Sequence, residues 1–187
     1  MKKNTLHMIS CMLIFFAGNI MAQDFSDKIN QQLTQYLEKD QLMAQDIQWE
    51  LSSDHVSNSS GMHHIYYSQM INNIEVFGTQ SSVHVLNNGV VLSASNNFVF
   101  KTADKLSVSN ARLTATQAVQ TAADKLKYTI TDAISVLQYY GGASQRQILS
   151  DGGMSLSPIP AKLMYQLVDD KFKLVWDISI QEKSQKD

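Results

Sequence analysis

The sequence predicts an α+β fold of two consecutive units, each a helix followed by an antiparallel sheet. Three observations carry this. Two segments space their apolar residues as helices do, residues 24–45 and the stretch that opens at Thr114. Behind each lies a block of short segments rich in β-branched and aromatic residues. The breaks within each block include hairpin turns, which join antiparallel neighbours.

Taken in order, the chain opens with Lys2 and Lys3, a largely apolar run from Leu6 to about Ala17, then Asn19 and Ile20-Met21-Ala22. A basic start, a short apolar centre and a small residue at the end make residues 1–22 a secretory signal peptide, cut between Ala22 and Gln23. A transmembrane anchor would want roughly 20 apolar residues, and this run is shorter and interrupted by polar ones. Cys11 stands ahead of most of the apolar run, the wrong place for a lipoprotein cysteine. Removing the leader takes 22 of 187 residues, the single cysteine, two of 15 basic groups and none of the 17 acidic ones. The mature chain is then free of thiols and suits an oxidising compartment.

In residues 24–45, Phe25, Ile29, Leu33 and Leu37 recur every four positions and form one helical face. Residues 47–56, 62–71, 74–86 and 90–100 read as strands. Asn88-Gly89 is expected to make a tight two-residue turn, and Asn72-Asn73 a weaker one of the same kind. Residues 101–110 are rich in turn formers and form the seam between the halves. Thr114 and Gln117 then make a capping box, behind which Ala115, Ala118, Val119, Ala122, Ala123 and Leu126 form a narrow face that lets the helix lie close to a sheet. Residues 133–140, 162–168 and 172–181 complete the second sheet, with Asp169-Asp170-Lys171 as a turn. In the last strand Phe172, Leu174, Trp176, Ile178 and Ile180 alternate with more polar neighbours and are expected to share a core with the Thr114 helix. Residues 141–160 read as a long surface loop.

Composition narrows the function classes. With 44% hydrophobic and 17% charged residues and a net charge of −2, the chain has an ordinary core-forming composition. Nothing calls for nucleic acid, which needs a basic stripe. A lone cysteine cannot build a disulfide framework. There is no His-Glu-x-x-His, no Gly-x-Ser-x-Gly elbow and no phosphate loop, so no catalytic residues are assigned. His55, His63, His64 and His84 are read as structural. His63 and His64 are adjacent, so on a strand they face opposite ways and cannot easily share an ion, although His55 or His84 can approach one of them across strands. The carboxylates are read as solvated turn residues, and Tyr66, Tyr67, Tyr139, Tyr140 and Trp176 as sheet packing.

The stretch 53–100 resembles the fungalysin/thermolysin propeptide (FTP) domain. The resemblance rests on Ser57-Asn58-Ser59-Ser60-Gly61, His64-Ile65-Tyr66 with Gln69, Ile71-Asn72-Asn73-Ile74-Glu75-Val76-Phe77, Val83-His84-Val85 and Gly89-Val90-Val91-Leu92-Ser93-Ala94. Asn73 departs from the family's usual glycine. The second half is similar to the PepSY-type segment of bacterial fungalysin-type precursors, through Leu113-Thr114-Ala115-Thr116-Gln117-Ala118, residues 160–166 and Leu174-Val175-Trp176-Asp177-Ile178-Ser179-Ile180.

The family positions carried over are His64, Tyr66, Gln69, Asn72, Val76, Phe77, Gly89, Trp176 and Asp177. The resemblance implies a cystatin-like/PepSY-like arrangement, with an N-terminal helix and FTP domain in residues 23–105 and a PepSY-like, C-terminally truncated segment in 106–187. It also implies a secreted or periplasmic propeptide, non-catalytic by itself, that chaperones and inhibits a zinc metallopeptidase in cis or in trans. No cofactor is expected in this chain, zinc belonging to the peptidase domain, and no membrane anchor after signal removal. A free-standing inhibitor or chaperone-like binding module is the alternative.

Overall fold

The computed structural model describes residues 17–39, 41–106 and 110–182. Most of the expected leader, residues 1–16, lies outside them. Helix α1 (Ala17–Glu38) runs through positions 22 and 23. Its apolar stripe does what the four-residue spacing asks: Ile29 and Leu33 are fully buried, and Phe25 and Leu37 pack at the margin of the same cluster.

A single 3₁₀ turn (Ala44–Asp46) leads into β1 (Trp49–Val56), β2 (His63–Ile71), β3 (Ile74–Glu75), β4 (Ser81–Val85) and β5 (Val91–Ser95). The first sheet runs β1-β2-β4-β5, every pair antiparallel, with β3 hairpinned onto the end of β2. Helix α1 covers one face, where Ile65, Tyr67, Val83 and Val85 join its cluster. The opposite face is polar, as the two-residue alternation of a half-covered sheet requires.

The second half begins with the four-residue helix α2 (Thr102–Lys105), inside the stretch expected as a turn-rich seam. Helix α3 (Ala115–Leu126) follows, and the Thr114–Gln117 capping box forms as expected: Thr114 Oγ1 accepts from the Gln117 amide while Gln117 Oε1 accepts from the Thr114 amide. The second sheet runs β6 (Val136–Gly141), β7 (Arg146–Leu149), β8 (Ile159–Val168) and β9 (Lys171–Ile178), all antiparallel. Ala115, Val119 and Ala123 of α3 are buried against Leu149, Ile159 and Ala161. The fold is thus α+β, a few helices on two antiparallel sheets.

Several expectations need correction. Residues 141–160 are not a surface loop: they contain β7, and Leu149, Met154, Ser155 and Ile159 are buried. Gly152 and Gly153, both with positive φ, pass so close to Thr131 and Ile134 that a Cβ would collide with those side chains. The 74–86 strand is two strands, broken where the chain turns at Gly78 (φ +79°). The Asn88-Gly89 turn is a three-residue loop, with only Gly89 in the left-handed region and Leu86 paired to Val90. Asn72-Asn73 is the true two-residue turn, both residues at positive φ. Leu126 faces solvent, as do Tyr139 and Tyr140. The β9 face is shared between two cores: Trp176 and Ile178, with Ile180 just beyond, meet the α3 cluster, whereas Phe172 and Leu174 join Ile71, Ile74, Val76 and Tyr165.

That last cluster joins the halves. Val76 bridges Tyr165 and the Phe77 amide donates to the Tyr165 carbonyl (2.8 Å), so β3 lies beside β8. Lys162 pairs with Glu75, and Lys105 with Asp170. The hydrogen bond and charge of Lys105 hold the Asp170 carboxyl below its ordinary pKa.

Candidate partner-binding site

The first sheet is organised by a buried polar hub. Asp46, fully buried, ends the 3₁₀ turn with its carboxylate aimed at the start of α2. Oδ2 accepts from the Met43 amide (2.9 Å) and the Lys101 amide (3.0 Å), and Oδ1 from the Thr102 amide (2.9 Å) and hydroxyl (2.7 Å). Gln69, also fully buried, spans the gap beside it. Its Nε2 donates to the Asp46 carbonyl (2.8 Å) and the Val99 carbonyl (3.0 Å), and its Oε1 accepts from the Val99 amide (2.8 Å). The Gln69 amide donates to Thr79 Oγ1, which donates on to the Val76 carbonyl. Every buried polar atom of Gln69 is thereby satisfied, which buried amides require. The Asp46 hub overturns its expected role as a solvated turn carboxylate, and three of its four bonds come from residues 55–56 positions away.

On the polar face, His55, His64 and His84 are direct cross-strand partners on β1, β2 and β4. His64 Nδ1 lies 2.9 Å from His84 Nδ1, and the His55 ring stacks on His64 at 4.8 Å. Tyr66 stands one step along β2, its ring 6.0 Å from both His55 and His84. Loss of hydration, then the neighbouring His84 and His55, hold the His64 pKa below the usual histidine value. His63 is on the opposite face, against Phe25.

Further along the same face, Ser68 and Met70 of β2 and Glu50 of β1 form one wall of an open cleft of about 680 Å³. Lys162, Asp177 and Tyr140 of the second sheet form the other. The cleft is charged with both signs and open to solvent. Beside it, β6 is an edge strand exposed along nearly its whole length, with Val136, Leu137, Tyr139 and Tyr140 half or more accessible. Among the described residues no helix is long and apolar enough to cross a membrane.

Residues 48–98 match the Fungalysin/Thermolysin Propeptide Motif. The chain therefore contains an FTP motif over about a quarter of its length, a motif of propeptides and not of catalytic domains. A comparison of the chain with curated proteins gives no match. The FTP match spans β1–β5 but stops short of the Asp46 hub on one side and of Val99 and Thr102 on the other.

Of the motif positions picked from sequence, Gln69 is the clamp just described and Asn72 and Gly89 are turn residues. Val76 is buried at the junction of the halves, while the Phe77 side chain is exposed. His64 and Tyr66 share the polar face. Trp176 is elsewhere, its indole N–H donating to the Leu113 carbonyl (2.8 Å), and Asp177 lines the cleft. Positions 22 and 23 lie in α1. Sequence reading missed Asp46 and Thr102, for which no motif gave a signal.

Proposed function

We propose that this chain is a secreted propeptide region that chaperones the folding of a fungalysin-type zinc metallopeptidase and inhibits it until removed, the catalytic domain lying outside this chain. The observation that carries this reading is the FTP match over residues 48–98, whose strands form one sheet with a satisfied buried hub and an uncommitted polar face. In this reading the second half is PepSY-like and residues 1–22 direct export.

The mechanism is occlusion without chemistry. The mixed-charge cleft and the β6 edge offer two complementary means of holding a peptidase. An edge strand supplies main-chain hydrogen bonds to an incoming extended segment, and the exposed side chains of β6 add apolar area to that contact. A rigid, preformed sheet loses little conformational freedom on docking, which favours tight inhibition.

The test is refolding in trans. A denatured fungalysin-type catalytic domain from the source genome is diluted with and without the purified chain, and peptidase activity is followed after the chain is digested away. The reading expects higher recovery with the chain and saturable inhibition of the native peptidase before digestion. Absence of both effects across the genome's fungalysin-type peptidases would reject it.

A further inference from the structure

We propose that His64 and His84, joined by His55, form a binding site for a divalent transition-metal ion of the Zn2+ or Cu2+ class on the polar face of the first sheet. The inference rests on side-chain geometry and is independent of the propeptide reading.

The two Nδ1 atoms face each other at 2.9 Å. Two neutral imidazoles can hold that contact only by sharing one proton, one nitrogen donating and the other accepting. An ion bound at about 2.0–2.1 Å to each nitrogen in tetrahedral geometry needs the pair roughly 3.3 Å apart. The strands therefore bring two imidazole ligands to within a few tenths of an ångström of a chelating separation. Metal binding at both Nδ1 atoms displaces the shared proton, and the ring that carried it takes a proton at Nε2 instead, so both histidines bind as neutral imidazoles with no net proton released.

The surroundings fit a ligand pair. His84 Nε2, the nitrogen away from His64, lies 3.3 Å from Ser82 Oγ, which in turn lies 3.0 Å from Ser95 Oγ. A hydrogen bond at the far ring nitrogen orients a metal-bound histidine and fixes its tautomer. The row beside the histidines, Ser53–Tyr66–Ser82–Ser95, carries no charge, so no cation there competes with an ion. His55 now stacks flat on His64, with ring planes 14° apart, and does not present a nitrogen to the pair. His55 is exposed, so a turn that presents its nitrogen gives up only its stacking on His64 and Tyr66, and it is the third ligand, with water in the fourth position. Accordingly, no three ligating side chains already converge among the described residues. The donor set of imidazoles alone selects borderline ions over Mg2+ and Ca2+, and Cu2+ should bind tighter than Zn2+.

The experiment titrates ZnCl2, and separately CuSO4, into the full chain near pH 7.5 by calorimetry. Histidine ring nitrogens are followed by NMR during the zinc titration. One ion per chain is expected, with the Nδ1 signals of His64 and His84 moving as metal-bound. His64→Gln and His84→Gln should each weaken binding at least tenfold, His55→Gln by a smaller factor, and His63→Gln, on the opposite face, not at all. Should a variant fail to fold, the NMR assignment on the unsubstituted chain decides alone. Absence of saturable binding, or an ion that leaves the His64 and His84 ring signals unmoved, overturns the proposal.

Discussion

Replacing Asp46 by Asn changes one oxygen to an amide at the centre of the hub and leaves the volume almost unchanged. The carboxylate accepts four hydrogen bonds, two on each oxygen. Asn keeps one acceptor and can serve two donors. Its NH2 must then face either two backbone amides, Met43 and Lys101, or the Thr102 amide and hydroxyl, of which only the hydroxyl can accept, by turning its own proton away. Two bonds to a charged acceptor are lost, each worth about 1.5–3 kcal/mol, and buried donors are left unpaired. The partial gain comes from burying a neutral group in place of a charge. The net expectation is a destabilisation of about 2–4 kcal/mol. With a urea slope of about 1–3 kcal/mol per molar, the unfolding midpoint should fall by about 0.7 M or more.

The assay is urea unfolding read by tryptophan emission. Trp49 reports the first sheet, its indole N–H donating to Asn30 Oδ1 on α1, and Trp176 reports the second. In a Trp176→Phe background the signal comes from the first sheet alone. A midpoint shift under about 0.3 M with an unchanged slope would show that the four bonds contribute little beyond their hydration cost, and the hub would not organise this sheet.

Two further outcomes are expected. Tyr67→Phe should stabilise the fold by about 1 kcal/mol, because the Tyr67 hydroxyl is buried with no hydrogen-bond partner among the described residues. Urea midpoints check this, and a loss of stability would show that the hydroxyl is satisfied after all. Burial, with Tyr36 nearby, raises the Tyr67 pKa well above 10.0. The unfolded chain thus ionises first, stability falls as pH rises past about 10, and Tyr67→Phe should remove that part of the alkaline slope. Trp176→Ala should cost about 2–3 kcal/mol, below the usual range for a fully buried tryptophan, since the indole is only partly covered by the α3 cluster. A urea midpoint equal to that of the parent would place Trp176 outside the second core.

What was legible in the sequence is what short-range physics determines. The Thr114–Gln117 box is two reciprocal bonds three residues apart, and it formed. The α1 face and the Asn72-Asn73 and Asp169-Asp170 turns are equally local, and both asparagines and both aspartates sit at positive φ. β7 was hidden because Arg146-Gln147-Ile148-Leu149 is too short to show alternation and is flanked by Gly and Ser, the marks of a loop. It is a strand because β6 and β8 both pair with it. Asp46 gave no signal for the same kind of reason. Its partners are set by how the chain returns to it at Lys101 and Thr102, which no local pattern encodes.

The histidine row shows how narrow that gap can be. From Trp49 to Leu51, β1 pairs with β2 in one register; after Ser52 the pairing is displaced by one residue. Continued without the displacement, the first register would set His55 opposite His63. The extra residue sets it opposite His64 instead. A one-residue slip also exchanges the two faces of a strand, so the bulge turns His55 from the α1 side to the side that carries His64 and His84. Bulges re-aim side chains in this way at sheet edges, and β1 is an edge strand. Ser52, the residue inserted, is held by its hydroxyl 2.8 Å from that of Ser68. A serine with no chemistry of its own thus decides whether three histidines meet. Beyond the expected leader the sequence shows four imidazoles, two of them adjacent; the register makes neighbours of three, His55, His64 and His84.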